Sequence, residues 1–197
     1  GFTTLSLVFA LIVGYVLAKK KFRGKKIITI LLLSTMMVPG EINMIPNYLL
    51  VQKLGWTDTL LAIILPGIIN IFGIFLIRQY MNTIPDSLLE SAEMDGANEL
   101  QKIFKIVLPM SKPIIVTYII LTFTATWNEY LWPLITIKNP AFFTLQLKLY
   151  QFYPRFGGAA DGFIRSAGMI LITIPIVIVY TIFQKHFIEN SNIAGIK

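Results

Sequence analysis

Apolar residues in this chain gather into blocks on the scale of a lipid bilayer, separated by short basic or mixed stretches. The first block, Phe2 to Ala18, is close to the roughly 17 residues that a helix needs to cross the hydrocarbon core. It starts after Gly1 without a methionine, so a further segment is expected upstream. No basic stretch precedes it and no small-residue cleavage site follows it, so it reads as a span and not as a signal peptide. The second block starts at Ile27, is broken by Val38-Pro39-Gly40-Glu41, and resumes from Ile42 to Val51 with Asn43, Pro46 and Asn47 inside it. The third runs from Thr59 to about Ile77, the fourth from Pro113 to Ile135 and the fifth from Ser166 to Phe187. The pattern predicts an all-α integral membrane chain with five helical spans. No linker or low-complexity tract divides residues 1–197, so one domain is expected. Its polar parts are a loop at about 82–112, a loop at about 136–165 on the opposite side, and a tail at about 188–197.

Composition agrees with the blocks. Hydrophobic residues make up 55% of the 197 and charged residues 14%, and the mean hydropathy is +0.71. There is no cysteine, which removes disulfides and thiolate sites, and the single histidine, His186, cannot build a metal site alone. The net charge of +7 fits basic loops at an anionic membrane surface better than nucleic acid, because no soluble basic domain exists to bind it. Lys19, Lys20, Lys21, Arg23, Lys25 and Lys26 follow the first span, and the loop at 82–112 is flanked or filled by Arg78, Lys102, Lys105 and Lys112. With Lys185 and Lys197 these are twelve of the seventeen basic residues, and five alternating spans put them all on one side. The positive-inside rule makes that side, and the C-terminus, cytoplasmic.

The loop at 82–112 has a pattern of its own. Ser87 followed by Glu90 predicts a capped helix start, with Asp86, Glu90 and Glu93 on one face and Leu88, Leu89 and Ala92 on the other. Gly96 ends that helix with a left-handed turn, and a second amphipathic segment follows from Asn98 with Leu100, Ile103, Phe104 and Val107 as its apolar set. A solvated charged loop is the plainer alternative.

The run Glu90-Ser91-Ala92-Glu93-Met94-Asp95-Gly96-Ala97, with Ile106-Val107-Leu108-Pro109 downstream, resembles the EAA signature of the permease subunits of bacterial ATP-binding-cassette importers. Val38-Pro39, Ile45-Pro46-Asn47-Tyr48, Ile84-Pro85, Trp127-Asn128-Glu129-Tyr130, Thr144-Leu145 and Ala194-Gly195-Ile196-Lys197 extend the likeness over essentially the whole chain. They are similar to the carbohydrate-uptake branch, and within it to maltose-transport-like permeases with a cytoplasmic C-terminal tail. Ser91 stands where the signature has its second alanine, and Asn190 where such tails usually have glycine. The resemblance implies the type I importer transmembrane fold, one more helix at the N-terminus, and a location in the bacterial plasma membrane. It implies a second permease subunit, two cytoplasmic ATPase subunits and an external solute-binding protein as partners, with membrane lipid around them. ATP and Mg belong to the ATPase subunits, and no cofactor is expected on this chain, which has no G-x-x-x-x-G-K-[ST] phosphate cradle. By the same resemblance Glu90, Ser91, Ala92, Asp95, Gly96, Ala97, Leu108 and Pro109 couple to the ATPase, and Gly195 and Lys197 make a tail contact.

Candidates for a solute pathway come from the spans. Tyr118, Thr122, Thr126 and Glu129 recur at helical spacing and draw one polar stripe, with Trp127, Asn128 and Tyr130 beside its end. Glu129 would lie roughly 24 Å along a continuous helix, in the outer half of the membrane, where carboxylate, amide and aromatic ring suit a sugar. The same residues equally suit pinning neighbouring helices together. Glu41 and Asn43 in the broken second block are a further lining or the mark of a proline kink. Gly67, Asn70 and Gly73 are expected on one face as a close helix contact, and the aromatic loop 138–165 is expected to lie on the bundle or meet the binding protein. An integral-membrane enzyme using Glu41, Glu129 and Asp161 is the rival class. It lacks a convergent titratable cluster.

Overall fold

The computed structural model describes residues 1–152 and 160–194, with side chains described throughout except at 150–152, 160–162, 164–165 and 185–194. Among the described residues there is no strand. The helices are α1 (Phe2–Lys19), α2 (Lys25–Thr35), α3 (Met44–Lys53), α4 (Leu60–Ile64), α5 (Ile71–Met81), α6 (Asp86–Met94) and α7 (Glu99–Lys102). They are followed by α8 (Leu108–Met110), α9 (Lys112–Asn128), α10 (Leu131–Thr136), α11 (Leu145–Phe152) and α12 (Ala160–Ala194). Short 3-10 turns at Gly40–Asn43 and Pro140–Phe142 and a π turn at Ile103–Val107 complete the order.

The apolar blocks are realised less continuously than the pattern predicts. Two helices, Phe2–Lys19 and Ser166–Gln184, are by themselves long and apolar enough to cross a membrane, and four spans result if each of two bent pairs counts as one. The second block breaks where expected, between α2 and α3 around Val38-Pro39. The third does not continue from Thr59 to Ile77. Pro66 has no N–H to give a helix ladder, and Asn70 restarts the chain by accepting from Gly73 N at 2.9 Å as the N-cap of α5. Gly67, Asn70 and Gly73 therefore do not share a helix face: Gly67 lies in the break, Asn70 caps, and Gly73 alone sits within the helix. The fourth block also ends early, at Asn128.

The chain divides into two compact units where the sequence suggests one, and the backbone passes between them several times, so no linker marks a boundary. In the unit built from Gly1–Pro39, Ile68–Ile119 and the described end of the last helix, α1 packs along α5. The core is Ala10, Tyr15, Leu17, Ile74, Ile77, Met81, Ile84, Val107, Ile114 and Tyr118. A Cβ on Gly73 would fall 2.0 Å from Tyr118 Cε2, so the ring occupies the space that any larger residue would need. The Tyr118 hydroxyl then meets Ser6 Oγ at 2.6 Å, and Ser6 Oγ donates to the Ile68 carbonyl at 2.8 Å.

In the unit built from Gly40–Gly67 and Ile120–Lys185, Val51, Ala62 and Ile137 form a core against Trp56, Ile63, Trp132, Phe142 and Phe143. Trp132 Nε1 donates to the Ala62 carbonyl at 2.8 Å. Asp58, at φ 59, donates its N–H to the Thr136 carbonyl and accepts from the N–H groups of Asn139 and Lys138. Those bonds, that from Asn139 foremost, hold its carboxyl below the ordinary aspartate range. Phe142 and Phe143 thus lie inward, as expected for the aromatic loop; Tyr150, Phe152, Tyr153 and Phe156 fall outside the described side chains. No residue of Ser166–Gln184 is buried, although its mean hydropathy is 2.2. A helix apolar all round with most of its surface uncovered is made for lipid or another subunit.

Candidate functional site

The polar interlude folds into a knob of two short helices that rests on its unit's core through Leu89 and Ile103 and leaves its tip exposed. α6 contains no buried residue. It begins at Asp86 with Pro85 as N-cap, so Ser87 lies in the first turn and does not form the expected capping box with Glu90. The cause is local: Pro85 presets its own φ near −60, and Asp86, one residue earlier than expected, is held by Lys19. The reciprocal capping box lies instead at Asn98 and Gln101, each side chain accepting from the other's backbone N–H at 2.9 Å. Between the helices Gly96 takes φ +81. Its N–H reaches the Glu93 carbonyl at 3.0 Å while the Ala97 N–H reaches the Ala92 carbonyl at 2.9 Å. Both bonds of a Schellman turn are present, which is the left-handed ending predicted for Gly96.

The second amphipathic segment is not one α-helix. α7 widens into the π turn at Ile103–Val107 because Pro109 has no N–H for the Lys105 carbonyl. This rotates the apolar set apart. Ile103 and Val107 join the core, while Leu100 and Phe104 remain 65% and 64% exposed. With Leu88 and Met94 on α6, at 43% and 89%, they leave the knob with large apolar side chains facing outward.

Its charges are mostly satisfied from within. Lys102 is buried and its Nζ contacts Glu93 at 3.0 Å and Glu99 at 2.6 Å, closing α6 onto α7. Glu99 also takes the Tyr15 hydroxyl from α1 at 2.9 Å and the Nζ of Lys20, the residue just past α1, at 2.5 Å, and Lys20 lies 5.8 Å over the Tyr15 ring. The hydrogen bonds from Lys102, then from Lys20, hold the Glu99 carboxyl at about 2. Lys19 reaches the Asp86 carboxylate at 2.7 Å and the Ile84 carbonyl, and lowers the Asp86 carboxyl by that hydrogen bond first. Of the predicted acidic face, Asp86 and Glu93 are thus paired with lysines of their own unit, although both carboxylates remain exposed. Glu90 and Asp95 are exposed and, among the described residues, take no ion pair. Ser91 is exposed, and Ala92, Ala97 and Leu108 are half-buried, with Pro109 exposed. Reading the sequence missed the Tyr15, Lys19, Lys20 and Glu99 set. Only the Glu99 to Lys102 spacing of three hinted at it.

The pathway candidates do not form one stripe. Tyr118 and Thr122 are buried and Thr126 half-buried on α9, but the helix ends at Asn128 and Glu129 lies beyond it. A continuous helix would drive the Pro133 ring into the Glu129 carbonyl, so the chain breaks and restarts as α10. Glu129 Oε1 there accepts from Trp132 N at 3.0 Å, in the manner of a helix cap. Trp127 is tied into the protein: its Nε1 donates to the Ile172 carbonyl at 3.0 Å, and Phe123 stacks on it with centroids 5.6 Å apart. Asn128, Glu129 and Tyr130 are exposed, as are Glu41 and Asn43. Gly195 and Lys197 lie outside the described residues. Among the described residues no group of three or more acidic, histidine or cysteine side chains is placed to hold a metal.

An all-helical membrane chain with a projecting two-helix knob is the class that fold and site define. The chain belongs to the binding-protein-dependent transport system inner membrane component family, which matches residues 7–190. It is 37% identical over 195 residues to the arabinooligosaccharides transport system permease protein AraQ of Bacillus subtilis (strain 168), covering 99% of this chain and 69% of that protein. It is 29% identical over 198 residues to the sn-glycerol-3-phosphate transport system permease protein UgpE of Yersinia enterocolitica, covering 96% and 70%. Its fold is similar to a chain in the crystal structure of a bacterial ABC transporter involved in the import of the acidic polysaccharide alginate, with a TM-score of 0.80 and 30% identity over 94% of this chain and 71% of that one. The chain is a membrane transport subunit and not an enzyme.

Proposed function

We propose that this permease pairs with a second permease subunit to form the pathway for a sugar or oligosaccharide, and that its knob docks in a groove of a cytoplasmic ATPase. The reading rests on one observation: Asp86, Glu93, Glu99 and Lys102 are paired within their own unit while Leu88, Met94, Leu100 and Phe104 stay exposed. An apolar tip next to free Glu90 and Asp95 suits helix-in-groove recognition, with Ala92 and Gly96 keeping the helix slim. The basic loop 19–26 supports, by the positive-inside rule, a cytoplasmic knob and C-terminus. A solute-binding protein would deliver the sugar from outside, as the arabinooligosaccharide permease relative suggests for the substrate class. Asn128 and the second oxygen of Glu129 remain open to such a solute beyond the end of α9.

The test is purification of the full importer in detergent with wild-type chain and with Gly96→Trp, which cannot hold φ +81 without strain. Wild-type chain should carry the ATPase subunits through purification and support uptake in proteoliposomes; the variant should lose uptake by about tenfold or more. Normal uptake by Gly96→Trp would refute docking through this turn.

A further inference from the structure

The knob is not a loosely tethered loop. Lys19, at the end of α1, grips the start of α6 through Asp86 and the Ile84 carbonyl. One residue on, Lys20 grips the start of α7 through Glu99, and Tyr15, a turn earlier, holds the same carboxylate. Lys102 sits buried between Glu93 and Glu99 and closes the two knob helices on each other. Glu99 is therefore the point where α1, α6 by way of Lys102, and α7 all meet. α1 in turn is pressed against α5, where a Cβ on Gly14 would fall 2.8 Å from Ile77 Cγ2, and α5 is pressed against Tyr118 at Gly73. Two backbones in such close contact slide or bend against each other only by repacking the side chains between them.

We propose that Glu99 and Lys102 form a clasp that locks the knob to α1, so that force applied at the knob moves α1, α5 and the first turns of α9 as one body. The clasp rests on the docking read for the same knob, and it adds how the push leaves it. Glu99 acts here as a positioning residue: it touches neither solute nor nucleotide, and sets the direction in which the knob can transmit. Were it absent, the knob would pivot on residues 82–85 and on the π turn, and the spans would receive only part of its travel.

The native chain has no cysteine, so two introduced ones report a single distance. Leu5→Cys on α1 and Met94→Cys at the knob tip, at exposed positions, are labelled with nitroxides before assembly with the ATPase subunits in lipid nanodiscs. Pulsed electron resonance should give one narrow separation that stays the same between the nucleotide-free and the ATP–vanadate-trapped importer. Glu99→Gln with Lys102→Met should broaden it in both states. If that pair fails to fold, Tyr15→Phe and Lys20→Met, each removing one bond to Glu99, should broaden it separately. A parental separation that shifts on trapping by more than about 2 Å, the scale of helix shifts at interfaces, would overturn the clasp. So would a narrow separation retained by every variant. Loss of the ATPase subunits from the parental complex would instead refute docking, and the separation in the permease alone would still decide the clasp.

Discussion

Two loops of this chain dispose of their apolar residues in opposite ways. The loop after α10 turns Phe142 and Phe143 inward onto Val51, Ala62 and Ile137, and Asp58 fastens its start through the backbone of Lys138 and Asn139. The knob instead pairs its carboxylates Asp86, Glu93 and Glu99 with Tyr15, Lys19, Lys20 and Lys102 while leaving them exposed, and presents Leu88, Met94, Leu100 and Phe104 outward. A loop that buries its aromatics is finished by its own unit. One that pairs its charges within its own unit and shows its hydrophobes offers an interaction surface, since exposed large apolar clusters on a polar element mark one.

The contrast breaks most sharply at the knob tip. Phe104→Asp should weaken co-purification of the ATPase by about tenfold or more, as loss of an interface anchor does, with the helix content of the chain unchanged by circular dichroism. Undiminished co-purification would mean the exposed side chains are incidental. Gly73→Leu attacks the packing beneath the knob: it forces the Tyr118 ring out and should cost about 1–3 kcal/mol, read as a lower melting temperature in detergent. On the finished loop, Trp132→Phe removes the hydrogen bond to the Ala62 carbonyl and part of the aromatic packing, so about 1–3 kcal/mol of stability should go while ATPase binding stays.

Glu129→Ala sharpens the comparison further. If the carboxylate serves α10 alone, stability falls by about 1 kcal/mol and uptake kinetics hold; altered solute affinity would place Glu129 on the route. The smallest effect is that of pH. Asp86 and Glu99 both titrate low because lysines hold their charged forms, so their contribution is complete above the unfolded carboxyl value and is lost as pH falls through the folded one. Amide-exchange protection of α6 and α7 should persist at about pH 5 and decline from about pH 4 toward 2, while α4, which carries Ala62 and no carboxylate, keeps its protection longer. An equal decline in both regions would remove the distinction.

Much of this was legible in the residues. Apolar blocks, a proline break in the second, and a glycine that takes the left-handed backbone at no steric cost are local facts, and local physics settles them: helix ladders need N–H groups, and φ near +80 favours the absence of a Cβ. The EAA run and the family likeness came from the same level. Where the blocks were read as unbroken spans, the error was one of treating apolarity as continuity; Pro66 and Pro133 carried the correction, but each takes effect only through the caps that Asn70 and Glu129 supply on refolding the chain direction.

What the sequence by itself determined, then, is membrane class, the knob's turn and its position along the chain. Which side of the knob faces home was decided by tertiary structure, because it depends on α1 delivering Lys19, Lys20 and Tyr15 to carboxylates 67 to 84 residues away. Charge pairing at that separation has no period along the chain, so no reading of spacing can find it; it exists only once α1 and α5 have packed and brought the ends of distant helices to within a hydrogen bond.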